Sequence, residues 1–483
     1  MKTKLTFILF LSSLTPVIFA QSITLNQVLQ QVIDHYPSVK TAAYQVERAQ
    51  QENRKIESQL GWQLKSQADI ARDVSAFGTP VDSINLSANV SRKLKFGSTL
   101  SVDAAINKSD SSNVFSPFQP NPVVSTGVNL NYRHPFAKGS DNPAYNQGIE
   151  AADAGIKKSF AERNAVYDQL ASQLIDLYLA AAVTQTKINN AEQSIARSQR
   201  LNKYIKSRLD LGVAEEKDIL QVEAQLHTQQ AERQGLLMVW QKQKISLNRL
   251  MGKKWDKEFN LLIKLPPKLI DEAETLLVEQ VRQYSPALLN VKAQLQLAES
   301  AIKTRRDAKK DNLDLLLFVG NKTSSGDNIV GNVSESELVG GLSIEFNRGM
   351  DKQGFDAELY QAQIDRGIAL QNQKQVLQDL EYNLSSLLAE IKAGQNAIKA
   401  YRQSAQSEKK KLTEAENRHK KGRADTDQLI QFESQLSLAE LSVDLQKIEL
   451  LRRFYSLNLL RGKLWQTIRV PEVSIKFNQG AIK

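Results

Sequence analysis

The sequence predicts a mostly α chain with a membrane β-barrel part, built from two internal repeats. Three observations lead there: a glycine-centred motif that occurs twice between very long helical stretches, a switch to two-residue hydrophobic alternation ahead of each pair of long helices, and an N-terminus that reads as an export signal.

The motif is Arg208-Leu-Asp-Leu-Gly-Val-Ala-Glu-Glu-Lys-Asp-Ile-Leu-Gln-Val-Glu-Ala-Gln-Leu226, matched by Arg418-His-Lys-Lys-Gly-Arg-Ala-Asp-Thr-Asp-Gln-Leu-Ile-Gln-Phe-Glu-Ser-Gln-Leu436. Arg208/Arg418, Gly212/Gly422, Ala214/Ala424, Gln221/Gln431 and Glu223/Glu433 fall at one offset. Ser246-Leu-Asn-Arg-Leu-Met-Gly-Lys253 and Ser456-Leu-Asn-Leu-Leu-Arg-Gly-Lys463 keep the register to the end. Glycine enters the left-handed conformation without a Cβ clash, and the acids after it suit the positive start of a new helix. The motif is therefore a duplicated helix-turn-helix tip. The front of the repeat recurs too, as Gln31-Val-Ile-Asp-His-Tyr-Pro37 and Gln280-Val-Arg-Gln-Tyr-Ser-Pro286. The offset there is 249 (Gln31 to Gln280) against 210 at the tips (Arg208 to Arg418), so repeat one carries an insertion, which falls in its alternating segment.

In chain order, residues 1–20 read as a cleaved signal peptide: Lys2 and Lys4, an apolar run from Leu5, and a cut near Ala20. Repeat one spans 21–250, a connector 251–270, repeat two 271–463, and a tail 464–483. Thr24 and Gln27 form a capping box ahead of an apolar stripe of Leu25, Val28, Leu29, Val32 and Ile33, which Pro37 interrupts. Alternation then takes over, with Trp62, Leu64, Ala68 and Ile70, then Ile84 to Val90, Leu100 to Ile106, and Val128 to Tyr132, each interleaved with polar residues. In an exported chain with Gly/Ser/Asn-rich loops such as 109–121, a barrel wall fits this better than a soluble sandwich. Aromatics near the strand ends (Trp62, Phe96, Tyr132, Phe136, Phe318 and Phe346) suit either membrane-interface girdles or ordinary strand packing.

A helix starts at Asp141-Asn-Pro143 and runs to Gly212, which at 1.5 Å per residue is about 100 Å long; a second returns from about Glu216 to Leu250. Their apolar seam (Ile188, Ile195, Leu201, Ile205) is too thin for a globular core. Such helices belong either to a dimeric coiled coil or to a wall one helix thick with water on both sides. Repeat two predicts a helix over 271–310, a strand near 313–319, a Gly/Asn/Ser loop to about Ser334, a strand around 342–346, and a long helix from 351 to Gly422 whose partner reaches Gly462.

The order of these elements, their duplication, the two tip motifs and the Ser-Leu-Asn-x-Leu-x-Gly-Lys endings resemble the TolC family of outer-membrane efflux channels over roughly residues 22–465. Pro135-Phe-Ala-Lys-Gly139 is similar to that family's Gln-Pro-Leu-x-x-Gly segment. The resemblance implies a homotrimer whose chains share one outer-membrane barrel and whose long helices form a periplasmic tunnel closed at the tips. It implies a passive conduit serving efflux or type I secretion, opened by a periplasmic adaptor protein and an inner-membrane transporter. It further implies four strands per chain, whereas four candidates lie in repeat one and two in repeat two. The hairpin at about 83–108 is then either extra wall, giving eighteen strands in place of twelve, or an extracellular loop.

The same resemblance places Arg208, Gly212, Asp218, Arg418, Gly422, Asp425, Asp427 and Gln428 at the entrance, as adaptor contacts or tip-locking groups. For the two arginines, a solvated helix-end cation is an equal alternative. The family's acid six residues after the tip glycine is kept as Asp218 but replaced by Gln428. A cation-binding acidic ring is therefore lost or rebuilt from Asp427, and weaker cation block is expected.

Other classes fit less well. No Gly-x-x-x-x-Gly-Lys-Ser/Thr or Gly-x-Ser-x-Gly is present, and His35, His134, His227 and His419 lack metal-ligand spacing, so neither enzyme, cofactor nor metal is expected. There is no cysteine, hence no disulfide. The net charge of +10 is spread along the helices, which favours solvated faces over nucleic-acid binding. A periplasmic adaptor would need only one helical hairpin, and a coiled-coil surface protein would lack alternating strands.

Overall fold

The computed structural model describes residues 21–74, 78–111, 116–266, 268–270, 272–466 and 468. The expected signal segment 1–20 and the tail from 469 lie outside the described residues. Repeat one comprises β1 (Gln21–Ile23), α1 (Leu25–His35), α2 (Pro37–Glu57), β2 (Gln63–Val74), β3 (Pro80–Lys93), β4 (Thr99–Ser111), β5 (Val123–Pro135), α3 (Pro143–Asp210) and α4 (Glu216–Leu250). After β6 (Phe259–Leu261), repeat two comprises α5 (Glu274–Tyr284), α6 (Pro286–Ala308), β7 (Asn312–Asn328), β8 (Gly331–Asn347), α7 (Gln353–Lys420) and α8 (Thr426–Leu460). The chain forms two compact units that cut across the repeats: one takes 21–40, 166–284 and the chain from 380, the other 41–165 and 285–379.

The second unit holds one six-stranded antiparallel sheet in the order β2-β3-β4-β5-β7-β8. The hairpin at 83–108 is therefore wall: β3 and β4 lie between β2 and β5. It accounts for the insertion in repeat one, because β2 and β5 correspond to β7 and β8. The Gly/Asn/Ser stretch up to Ser334 is not a loop. β7 continues to Asn328 and β8 begins at Gly331, because β7 finds backbone partners along β5 as far as Gly326, opposite Val123. Small polar residues keep the extended conformation there once long-range pairing supplies the hydrogen bonds.

One lateral row reads Leu64, Val90, Val102, Leu130, Val319 and Gly340; the next on the opposite face reads Lys65, Asn89, Asp103, Asn129, Gly320 and Val339. The apolar row is the exposed one. Leu64, Ile70, Ile84, Leu86, Val90, Val102, Val128, Leu130, Leu342 and Ile344 are all exposed, whereas Ser83, Asn85, Ser87, Asn89 and Ser91 are partly covered. This inverts a soluble sheet, which hides its apolar face. On the polar face Asp103 accepts from Asn89 and Asn131, and Arg133 pairs with Asp314. Phe318 shares that face with Asn131 and Gly341, opposite in parity to Leu317 and Val319, which removes it from any outward aromatic girdle. A Cβ at Gly341 would stand 2.6 Å from the Phe318 ring, so any side chain there would push that ring aside.

The first unit is built on packed helices. The capping box forms as expected: Gln27 N–H donates to Thr24 Oγ1 (3.4 Å) and Thr24 N–H to Gln27 Oε1 (2.9 Å). The α1 stripe is fully buried. Tyr178 donates to the carbonyls of Ile23 and Leu262, both at 3.0 Å, and so fastens β1 and β6, which pair in parallel. Along α3 the seam reads Ile188, Ala191, Ser194, Ser198 and Ile205, and along α7 Leu384, Ile391 and Ile398, all buried. Ala191, Ser198 and Ile205, like Leu384, Ile391 and Ile398, recur at the seven-residue spacing of supercoiled helices. At Gly394 an added Cβ would meet Leu450 Cδ1 at 3.0 Å.

Asp168 in α3 is the polar latch of this unit. Its Oδ1 accepts from Tyr284 Oη at the end of α5 (2.9 Å) and from Trp465 Nε1 just beyond α8 (2.7 Å). Burial, only partly offset by these two donors, pushes its carboxyl up to about 6. A raised carboxyl favours the fold most when it is protonated, so this contribution is fully present below the unfolded value of about 3.8 and is lost as pH rises through about 6. Asp168→Asn keeps the accepting oxygen without the buried charge. Thermal unfolding of the variant is expected to be about 2 kcal/mol more favourable to the folded state at pH 7.5, with a flatter pH dependence between 4.5 and 7.

Candidate functional site: the two helical tips

Both tips belong to the first unit, and their closures are the same. Gly212, with φ +72°, donates to Leu209 O, and Val213 N–H reaches back to Arg208 O, both at 2.9 Å; Gly422, with φ +71°, donates to His419 O, and Arg423 N–H reaches Arg418 O, again both at 2.9 Å. Each glycine occupies the left-handed position and satisfies carbonyls that the helix end would leave bare. No other atom lies within 4 Å of a Cβ built at either glycine, so backbone conformation rather than space requires them.

Beyond the closures the tips diverge. Arg208 leaves its own helix: one guanidinium nitrogen donates to His419 O and to Tyr204 Oη, both at 3.2 Å, and the other to Val213 O at 3.3 Å. A repeat-one cation thus sits on a last-turn carbonyl of the repeat-two helix, where the helix dipole favours positive charge. Arg418, its sequence counterpart, is exposed and only approaches Glu414, at 3.8 Å. Asp218 is a capping group whose Oδ2 accepts the Glu215 N–H at 3.0 Å, while Glu215 pairs with Lys217. In repeat two Asp425 occupies the N-cap without a side-chain hydrogen bond, and Asp427 and Gln428 are exposed. The replacement of Asp218 by Gln428 therefore coincides with the loss of a capping box.

His419, read from sequence as one of four scattered polar histidines, is 6% exposed. Its ring meets Tyr204 edge-on at 5.6 Å, with Nδ1 3.4 Å from Tyr204 Oη and Nε2 3.4 Å from Thr426 Oγ1. Burial, then the Arg208 charge, holds the imidazole below its ordinary value, against an opposite pull from Asp218 and Asp425. The signal for this was available: repeat one has Leu209 at the equivalent position, and a histidine replacing a seam leucine is out of pattern. Ile205, Ile219 and Val222 form the apolar plug beside it, with Leu201, Tyr204, Leu209, Ala214 and Ile430.

Further along the hairpins, Arg197 donates to Glu433 Oε1 at 2.7 Å, the carboxylate being 9% exposed. Ser194 donates to the same oxygen (2.9 Å), and Asn190 and Ser437 exchange bonds of 3.1 and 2.9 Å. This ladder ties α3 to α8, one repeat to the other. It too is asymmetric, since Glu223, the partner of Glu433 in the duplication, is exposed and Ser407 stands where Arg197 stands. Among the described residues no group of His, Asp or Glu could hold a metal ion, and no helix is long and apolar enough to cross a membrane.

Arg208→Ala is expected to weaken the tip by about 2 kcal/mol, because it strips donors from partly buried acceptors, while Arg418→Ala changes it by under about 0.5 kcal/mol. Hydrogen exchange of the amides around 418–426 measures both. His419 carries a depressed pKa, so its contribution is present above the unfolded value of about 6.5 and is lost as pH falls below it. The same amides should exchange faster in acid, and His419→Gln should abolish that response.

No protein-family model matches the chain, and no curated protein matches it by sequence. Solved structures do. The outer-membrane channel OprN aligns over 92% of this chain and 90% of its own, at 15% identity and a TM-score of 0.67. CusC, described for conformational changes that accompany folding and transmembrane channel formation, aligns over 92% and 93%, at 15% identity and a TM-score of 0.66. VceC, an outer membrane protein of Vibrio cholerae, aligns over 92% and 95%, at 16% identity and a TM-score of 0.61. Likeness over nearly the full length of each, with a six-stranded sheet and paired long helices in duplicate, gives this chain the fold of the TolC-type outer-membrane channels.

Proposed function

We propose that the chain is the outer-membrane channel of a tripartite efflux or type I secretion system. Three copies share one barrel, and their long helices form a periplasmic tunnel closed at the tips. The observation that carries this reading is the inverted sheet. Its apolar side chains share one face along the six strands, exposed to solvent most clearly on β3, β4 and β5, while the opposite face is mostly polar, as required of a wall between lipid and water. The fold likeness to outer-membrane channels supports it over the adaptor and coiled-coil alternatives. Transport is passive: the chain supplies a path and a closure, and a periplasmic adaptor with an inner-membrane transporter supplies the force that opens it.

In this reading the tips are the gate. Gly212 and Gly422 fix where the helices reverse, and Arg208, with Tyr204 and His419, locks one hairpin to the other. Arg418, Asp425, Asp427 and Gln428, exposed at the repeat-two tip, are offered to an adaptor or to the pore entrance. Asp218 is tied up in capping and contributes structure first.

The test is the mass of the detergent-extracted protein from an outer-membrane fraction, followed by conductance in a planar bilayer. A particle near three chain masses that conducts weakly, and conducts more after Arg208→Ala, is expected. A monomer released from the periplasm without detergent would remove the channel. Multivalent cations should block only weakly, and Asp427→Asn should abolish what block there is. Strong block that survives Asp427→Asn would rule out a ring rebuilt from that acid.

A further inference from the structure

The sheet ends in two unpaired edges. β2 is exposed along its whole length and β8 along most of its own, on strands of 12 and 17 residues. Unpaired backbone of that length cannot face hydrocarbon, so each edge needs a strand. The six strands alternate in direction throughout, so the outer edge of β8 runs antiparallel to the outer edge of β2. A second copy of this chain is therefore an occupant that continues the same ladder, and it prolongs the apolar exposed face without a break. Repetition of that contact closes a ring.

The inserted hairpin decides how wide the ring is. Repeat two contributes only β7 and β8, and repeat one without β3 and β4 would likewise contribute two strands. Given three copies, a premise taken from the proposed function above, we infer that the assembled barrel has eighteen strands where a chain lacking the hairpin would give twelve. We further infer that the extra strands adapt the outer end of the conduit to hydrophilic solutes of large cross-section. With strands about 4.8 Å apart and tilted by about 40°, the backbone diameter is roughly 36 Å, against roughly 24 Å for twelve strands. The polar face is suited to such solutes: the row Lys65, Asn89, Asp103, Asn129 and the row Gln63, Ser91, Ser101, Asn131 offer donors and acceptors and few apolar side chains. The hairpin is also a clean insertion. The rows place Leu64 level with Leu130 and Ala68 level with Thr126, so removing β3 and β4 would leave β2 antiparallel to β5 with both apolar faces on the same side.

The chain has no cysteine, so one introduced at exposed Thr126 in mid-wall gives a single spin label per copy. In the full-length, detergent-extracted Thr126→Cys protein, eighteen strands predict a backbone separation between copies of roughly 31 Å and twelve predict roughly 21 Å. The longer distance is expected, falling by about a third when residues 78–111 are deleted. A short distance in the intact trimer overturns the eighteen-stranded wall while leaving the trimer standing. Absence of any distance between labels, in a particle of one chain mass, overturns the trimeric reading and this inference with it. Cargo width is tested with poly(ethylene glycol) of graded size added from the outer side in a planar bilayer. The intact channel should admit larger polymers than the deletion variant, and equal cut-offs would overturn the assignment to broad solutes. If the deletion variant does not assemble, the label distance in the intact chain still decides the strand number.

Discussion

A long helix can turn back only where its last carbonyls find donors, and the rest of this structure depends on where that condition is met. Gly212, Gly252, Gly422 and Gly462 all take φ between +67° and +72°, and each closes the end of one of the four long helices. They set the length of each hairpin and hold the seam residues in register from one turn to the next. An L residue with a side chain at any of them would be strained, and the strain would fall on the closing bonds that end the helix. At Gly462 there is a second reason, because a Cβ would stand 2.2 Å from the ring of Tyr284.

Duplication built the scaffold, and divergence gave its halves different tasks. Arg208 and Arg418 hold the same place in sequence, yet only Arg208 reaches across to the other hairpin. The difference comes from what the tip encloses: Tyr204 and His419 make a polar pocket beside an apolar plug, and Arg208 alone reaches its acceptors. Glu433 is buried against Arg197 and Ser194 while Glu223 lies in solvent. Contacts that join one repeat to the other thus use residues that both repeats carry, such as Arg208 and Glu433, but whose partners differ: Arg197 corresponds to Ser407 and His419 to Leu209. Asp168 follows the same logic, held by two neutral donors from distant parts of the chain and, among the described residues, by no charge partner.

The sheet obeys a different constraint. Its apolar residues occupy an exposed face, and in the proposed reading a surrounding hydrocarbon phase is what stabilises them. On the polar face side-chain bonds are few and local, as where Asp103 gathers Asn89 and Asn131 or Arg133 meets Asp314. Such a sheet is held mainly by its ladder, which is why strands can run through Ser, Asn and Gly well past the apolar band.

The amino-acid sequence by itself determined the elements. The helix ends follow from left-handed glycines and prolines, the helical faces from the capping box and the apolar stripe, and the strands from two-residue alternation; all are set by neighbours within a few residues. It also determined that there are two repeats and where the insertion lies. Only the tertiary structure decided that β3 and β4 are wall rather than loop, that β7 and β8 run on through a stretch rich in Ser, Asn and Gly, and that Phe318 faces away from the apolar surface. Strand pairing is a property of partners far apart in the chain, and alternation alone is silent about which edge a strand will find. The tip behaves likewise. The sequence placed Arg208, Gly212, Arg418 and Gly422 together, but which arginine bridges the hairpins, and that His419 is buried beside it, depends on packing between helices whose facing partners differ between the repeats.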